Sequence, residues 1–276
     1  MANRTPWENR LALISGASNG LGRQIAKRLA SQRARLLLVG RQADRLASLR
    51  DECSALGSPS AHCIELDVTS STDTPHWGRL TSELEHSGLD LLVNAVGKSD
   101  RGELMQLSSQ DLRSMLEINV IATHAMTQFC WSGLCRTQGV VVNIASLAGI
   151  VPGPAMGGYT MAKHALVGLH RQWRIEAREK GIHFLLVCPG PIERDDSQDR
   201  YKDLASSRGL DAQSAQPGGG VSLKRLDPVA LSDSILRAAC QRDLELILPG
   251  KARWLAALHA LWPSLADRIL VSKMNR

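Results

Sequence analysis

The feature that most narrows the fold is an alternation. Short apolar runs and amphipathic helical stretches follow one another almost from the first of the 276 residues. RLALIS (10–15), ARLLLVG (34–40), AHCIELDV (61–68), LDLLVNA (89–95), GVVVNIAS (139–146), IHFLLVCPG (182–190) and LELILPG (244–250) read as strands. Most have uniformly apolar centres, which implies burial on both faces. Helical stretches lie between them, at roughly 21–32, 42–56, 74–87, 108–135, 158–180 and 228–241. Repeated β-α order predicts an α/β fold in which a parallel sheet is covered by helices. The length suits one such sheet, so residues 1–276 are read as a single domain without internal repeats. With 43% hydrophobic and 22% charged residues, a disordered or fibrous chain is excluded.

Two segments break the rhythm. Residues 193–224 are polar, charge-dense at ERDDSQDRYKD and end in Pro217-Gly218-Gly219-Gly220, which reads as a surface lid over a site. Residues 251–276 carry Trp254, Leu255, Leu258, Leu261, Trp262, Leu265 and Ile269 at helical spacing, an amphipathic stripe interrupted by Pro263. Packing of this stripe onto the body is the first expectation; an oligomer contact and a peripheral membrane contact are the alternatives.

The uncharged stretch 137–162 is long enough to raise a membrane span, but Asn143, Pro152, Pro154 and several glycines make it a buried strand followed by a loop. The N-terminal MANRTPWENR lacks an apolar secretion core. Six cysteines, at 53, 63, 130, 135, 188 and 240, have no metal-ligand spacing. Free thiols in a reducing cytoplasm, and no metal site, are expected.

Thirty-three Lys and Arg against 27 Asp and Glu leave a net charge of +6, which could attract nucleic acid, an anionic membrane or a phosphorylated ligand. The charge is concentrated. Residues 23–50 hold eight cations and one acid, and residues 251–276 hold five and one. The absence of a recognisable nucleic-acid module or aromatic platform argues against nucleic acid as the partner.

Gly16-Ala-Ser18-Asn19-Gly20-Leu21-Gly22 follows the first strand and opens the first helix. Glycine permits tight turning and close approach, and the free N–H groups of a helix start attract phosphate. The turn therefore suits a dinucleotide, with packing alone as the alternative. At the tip of the second strand, where an NAD-binding site usually places an acid for the ribose hydroxyls, the chain has Val39-Gly40-Arg41. A cation without a carboxylate favours a 2′-phosphate, so NADP(H) is expected over NAD(H). Tyr159 and Lys163 stand four residues apart on one face of a helix start, where an ammonium favours the phenolate. Ser146 ends the strand GVVVNIAS, at a tip that meets the ligand crevice, or else caps its own loop.

In the spacing of Gly16, Gly20 and Gly22 and of Ser146, Tyr159 and Lys163, the chain resembles the single-domain branch of the short-chain dehydrogenase/reductase (SDR) family. Ser15 stands where that family usually has Thr. The resemblance implies a Rossmann-type, doubly wound sheet and carbonyl–alcohol chemistry. Tyr159 would be the general acid/base and also contact the cofactor, Ser146 would hydrogen-bond the substrate oxygen, and Lys163 would hold the nicotinamide ribose. Asn119 would anchor a relay water, although an Asn in mid-helix is often a satisfied core group. Asp67, with Val68, falls where the family binds adenine. Asn94 begins NAVG, which departs from the family's N-N-A-G at Ala95 and Val96. Pro189 and Gly190 match the turn bordering the nicotinamide, and Ile192 the backbone N–H that meets its carboxamide. Arg194 replaces a Thr and could serve cofactor or substrate. The resemblance further implies a homodimer or homotetramer through the helices at 108–135 and 158–180.

Leu147, Ile150, Val151, Pro152 and Met156 point to a hydrophobic carbonyl or alcohol substrate. Reduction of a 3-oxoacyl thioester, with Arg194 or Arg200 facing its carrier, is a second enzymatic expectation. A non-catalytic NADP(H)-binding regulator is a third, and the Ser146, Tyr159 and Lys163 set argues against it.

Overall fold

The computed structural model describes residues 5–70, 77, 78, 80, 84, 88–193, 208–210 and 224–274, with 273 and 274 described by backbone alone. Seven strands form one all-parallel sheet: β1 (Leu11–Ser15), β2 (Arg35–Gly40), β3 (Ala61–Glu65), β4 (Leu91–Asn94), β5 (Val140–Ile144), β6 (His183–Pro189) and β7 (Glu245–Leu248), in the order β3-β2-β1-β4-β5-β6-β7. Every expected strand is present. The third stops at Glu65, short of the expected Val68, because Asp67 turns the chain by accepting from the Thr69 N–H and hydroxyl.

The reason for uniformly apolar strands is visible in the side-chain alternation. Ile14, Leu36, Leu38, Val93, Val142 and Val187 enter the core beneath α1 (Gly20–Ala30) and α2 (Ala43–Ala55). Their neighbours Leu13, Leu37, Val39, Leu92, Val141 and Phe184 enter the core on the opposite face. Both faces are covered, so neither needs polar residues.

The expected helix at 108–135 is three pieces: α3 (Ser109–Leu116), a π-helical turn (Glu117–Ile121) and α4 (Ala122–Thr137). A capping box starts it: the Ser108 hydroxyl accepts from the Asp111 N–H, and the Asp111 carboxylate accepts from the Ser108 N–H. Helix α5 (Gly157–Glu176) follows β5, and α6 (Pro228–Gln241), capped by Asp227, precedes β7.

Strand order reverses between β1 and β4, and all strands point the same way. The crevice beyond the tips of β1 and β4 is the place where such sheets bind ligands. Ser15, Gly40, Asn94, Ile144 and Pro189 end their strands at that side.

The C-terminal stripe does not pack onto the body as a single face. It folds as a hairpin of α7 (Ala252–Leu261) and α8 (Pro263–Met274), broken at Pro263. Leu255 and Leu258 are half-buried, whereas Trp254, Leu261 and Trp262 are exposed.

Candidate active site

The glycine turn is built for close approach. Gly16 has φ +76°, and a side chain there would meet the backbone of Ala95 and Val96 at 3.0 Å. A Cβ on Gly22 would collide with the Gly16 carbonyl oxygen, so this turn closes only with glycine at both positions. Helix α1 begins without a side-chain cap and without an acid in its first turn. Its free N–H groups and positive dipole end face the crevice side. The Ser18 hydroxyl is buried and has no hydrogen-bond partner among the described residues, an arrangement that costs free energy unless an acceptor or donor arrives. An uncapped helix start, an unpartnered hydroxyl and a backbone stripped of Cβ atoms fit a diphosphate. Leu21, by contrast, turns its side chain into the core and has only backbone to offer.

Arg41, at the tip of β2, is two-thirds exposed and lies 3.7 Å from Asp67. Partial burial raises the Asp67 pKa, but hydrogen bonds from Thr69 and the charge of Arg41 outweigh it and hold the carboxyl below its ordinary range. Val68 packs its side chain into the core. Asn19 joins the glycine turn to the β2–α2 connection: its amide donates to Gln42 Oε1 at 3.1 Å, and its carbonyl oxygen accepts from the Arg45 guanidinium. Arg45 is thus a second cation beside Arg41 that motif reasoning missed. The only signal for it was the basic concentration over residues 23–50.

Helix α5 carries Tyr159 and Lys163 on one face, with the Lys163 Nζ 5.8 Å from the centre of the Tyr159 ring. Lys163 is 4% exposed, and its ammonium donates to the Ile144 carbonyl at 2.9 Å, two residues before Ser146. Burial pushes its pKa down to about 8. The Ser146 hydroxyl accepts from the Ala148 N–H at 3.2 Å, so its own proton is free to point elsewhere. The alternative of Ser146 as a loop cap is therefore partly realised, without using up its donor.

Asn119 sits in the π-helical turn and is fully buried. Its side-chain oxygen accepts from the Lys98 N–H at 3.3 Å, and its amide donates to the Lys98 and Met115 carbonyls, each at 3.0 Å. This ties the helix to the loop after β4. Gly97 lies against both anchors: a Cβ there would fall 2.9 Å from Asn119 Oδ1 and 3.4 Å from Lys163 Nζ. Asn119, Lys163 and Tyr159 are thereby brought together around the end of β5.

Asn94 points inward. Its amide donates to Thr127 at 3.0 Å and to Asn143 at 2.9 Å, and its oxygen accepts from Ser15 at 3.4 Å. Any contact with a ligand in the crevice falls to its backbone. The same buried chain continues from Asn143 to His170 Nδ1 at 3.1 Å, which sequence reasoning missed. Burial drives the His170 imidazole down to about 3, so it is neutral at physiological pH.

Pro189 ends β6, and the Gly190 N–H donates to the Leu248 carbonyl at 2.7 Å. Ile192 bridges to Leu226 and packs on the core. Within the expected lid, Arg194, Arg200 and Pro217–Gly220 lie outside the described residues. Arg208 is described: it donates to the buried Asp100 at 2.7 Å and pairs with Asp111 at 3.4 Å.

Residues 10–205 match the short chain dehydrogenase family. Over 282 aligned residues the chain is 26% identical to dehydrogenase/reductase SDR family member 7B of Danio rerio, covering 100% of this chain and 89% of that protein. It is 30% identical over 266 residues to an Anopheles gambiae SDR family protein 7-like dehydrogenase/reductase, covering 93% and 81%. Among solved structures it is similar to an alcohol dehydrogenase from the archaeon Thermococcus sibiricus complexed with 5-hydroxy-NADP, at 25% identity and TM-score 0.68, over 87% of this chain and 95% of that one. L-sorbose reductase from Gluconobacter frateurii, complexed with NADPH and L-sorbose, shares the fold at 20% identity and TM-score 0.75, over 88% and 96%. With the glycine turn and the Ser146, Tyr159 and Lys163 arrangement in place, the match over residues 10–205 assigns this chain to the short-chain dehydrogenase/reductase family.

Proposed function

We propose that the chain is an NADP(H)-dependent oxidoreductase interconverting a hydrophobic carbonyl compound and its alcohol, with Tyr159 as the acid/base. The observation that carries this reading is the buried Lys163 ammonium beside the Tyr159 ring, bonded to Ile144 at the tip of β5, two residues before Ser146. The start of α1, with Ser18 and the backbone of residues 16–22, would hold the diphosphate. Arg41 and Arg45 would face the 2′-phosphate, and Lys163 the nicotinamide ribose. A nicotinamide dinucleotide bound there supplies a hydride in reduction and accepts one in oxidation.

The chain's own residues manage the proton. In reduction the Tyr159 hydroxyl gives its proton to the carbonyl oxygen, and in oxidation the phenolate takes the carbinol proton. Ser146 donates a hydrogen bond to that same oxygen, using the proton that its bond from Ala148 leaves free. Below about pH 8 Lys163 is an ammonium, which stabilises the phenolate; it is also close enough to neutrality to pass a proton on. Asn119, fixed to both sides of Lys98, holds the wall against which a relay water would sit.

Leu147 and Ile150 pack against a buried cluster that includes Ala145, Leu166 and Leu186, and Met156 is buried, which supports an apolar substrate wall. All six cysteines are free thiols, which supports a reducing, cytoplasmic-type compartment. The exposed Ile121 and Ile175, on the helices expected to meet in an oligomer, support a homodimer or homotetramer.

The test is a comparison of initial rates with NADPH and NADH against a panel of ketones, aldehydes and acyl thioesters, with an Arg41→Ala variant in parallel. NADPH should be preferred, and Arg41→Ala should raise the NADPH KM about 10- to 100-fold, the worth of one charge-assisted contact, while leaving NADH unaffected. Preference for NADH, or an unchanged NADPH KM, contradicts the cofactor assignment.

A further inference from the structure

The least explained surface of the molecule is the outer side of the C-terminal hairpin. Helix α7, ARWLAALHAL, has only Arg253 and His259 as polar side chains. A helix apolar on nearly every side normally lies buried. Here one side is covered, with Leu255, Leu258 and Ala256 half-buried, and the opposite side is open. Trp254 is 78% exposed and Leu261, seven residues on and therefore on the same face, is 86% exposed. The apolar surface continues round the elbow through Trp262, at 63%, and Leu265, at 40%. Four large apolar side chains on one short hairpin are more than the scattered exposure that needs no explanation.

Charge decides what would cover them. Residues 251–276 contain five cations, among them Lys251, Arg253 and Arg268, and one acid, Asp267. Lys251, Arg253 and Arg268 are all exposed and outnumber Asp267, which lies 3.6 Å from His259 on the facing helix, so the exposed rim is net positive. A second copy docking through the same face would bring two such basic rims together, and like charges at close range oppose that contact. An anionic surface meets no such opposition. Neither helix is long enough to cross a bilayer, and among the described residues no helix is long and apolar enough to do so. Tryptophans and leucines beside lysine and arginine on a short helix are suited to lying in the headgroup region of a membrane.

The placement of the hairpin adds a consequence. Leu248, at the end of β7, accepts from the Gly190 N–H, and Ala252 packs on the core cluster that holds Leu147 and Ile150. The hairpin therefore springs from the end of the sheet that carries Ser146. We infer that the exposed face of α7 and the elbow is a docking surface for an anionic phospholipid bilayer, which holds the membrane beside the crevice. This goes beyond the proposed reaction and does not depend on it.

The test uses the full chain and sedimentation with vesicles of phosphatidylcholine containing phosphatidylserine, against vesicles of phosphatidylcholine alone. The protein should sediment with the anionic vesicles, and its apparent affinity should fall more than about tenfold on the neutral ones or in the triple variant Lys251→Glu, Arg253→Glu, Arg268→Glu. The double variant Trp254→Ser, Leu261→Gln should also release it. Circular dichroism and the unfolding midpoint report that both variants remain folded, since all five positions are at the surface. No binding to anionic vesicles, or binding that both folded variants retain, overturns the inference. So does a dimer in sedimentation velocity that Trp254→Ser, Leu261→Gln dissociates, because the face would then be covered by a second copy.

Discussion

Helices α5 and α7 both root at the crevice end of the sheet, and they treat their apolar residues in opposite ways. Helix α5 buries Ala162, Leu166, Val167 and Trp173 against the sheet and the helices beside it. Close packing on that side fixes the rotation and height of the helix, which is what delivers Lys163 Nζ to the Ile144 carbonyl. Helix α7 presents Trp254 and Leu261 to solvent. The difference separates two uses of hydrophobic residues: in α5 they set the position of polar groups, and in α7 they are themselves the surface on offer.

The largest effect expected from α5 is catalytic. Lys163→Met should keep the fold and lower kcat/KM at least about 100-fold, in line with the worth of acid/base chemistry, as read in steady-state rates with saturating NADPH. A smaller loss would separate Lys163 from the work of Tyr159. Next comes stability. Leu166, 1% exposed, should cost about 2–5 kcal/mol when cut to Ala, measured by urea unfolding.

His170, on the same helix, provides a pH-dependent version of the same point. Its pKa is pushed from the ordinary 6.5 down to about 3, so above pH 6.5 both folded and unfolded chains carry it neutral. As pH falls below that value the unfolded chain binds a proton that the folded chain refuses. Stability is therefore lost progressively toward pH 3, by about 2 kcal/mol between pH 7 and pH 5. His170→Gln should flatten that slope in urea titrations at the two pH values. The smallest effect belongs to α7: Leu261→Ala should change stability by no more than about 0.5 kcal/mol. A cost approaching that of Leu166→Ala would erase the contrast between the helices.

How much of this was legible in the sequence follows the same division. The strands were readable because both faces of the sheet are covered, which makes their centres uniformly apolar. The Ser146, Tyr159 and Lys163 set was readable because its chemistry fixes residue type and spacing. The π-helical turn at Glu117–Ile121 was not, since the bonds that hold Asn119 there run to Lys98, 21 residues away. Asn143 was visible as a polar residue inside the apolar run GVVVNIAS, but its partner His170 lies 27 residues further on and meets it only through the packing of α5 on β5. Arg45 was one of eight cations between residues 23 and 50, and nothing local distinguished it. The tail was readable as helix, but which of its apolar residues stay exposed was not, because periodicity records which residues are apolar and carries no record of whether an element stands opposite them.

The central claim is that Tyr159 moves the proton in a site whose dinucleotide is held mainly by other residues. Equilibrium titration of NADPH by fluorescence, paired with single-substrate turnover, tests it in one variant. Tyr159→Phe should bind NADPH within about twofold of the wild type and lose about 100- to 10,000-fold in turnover. Turnover near the wild-type rate with NADPH bound would contradict the account.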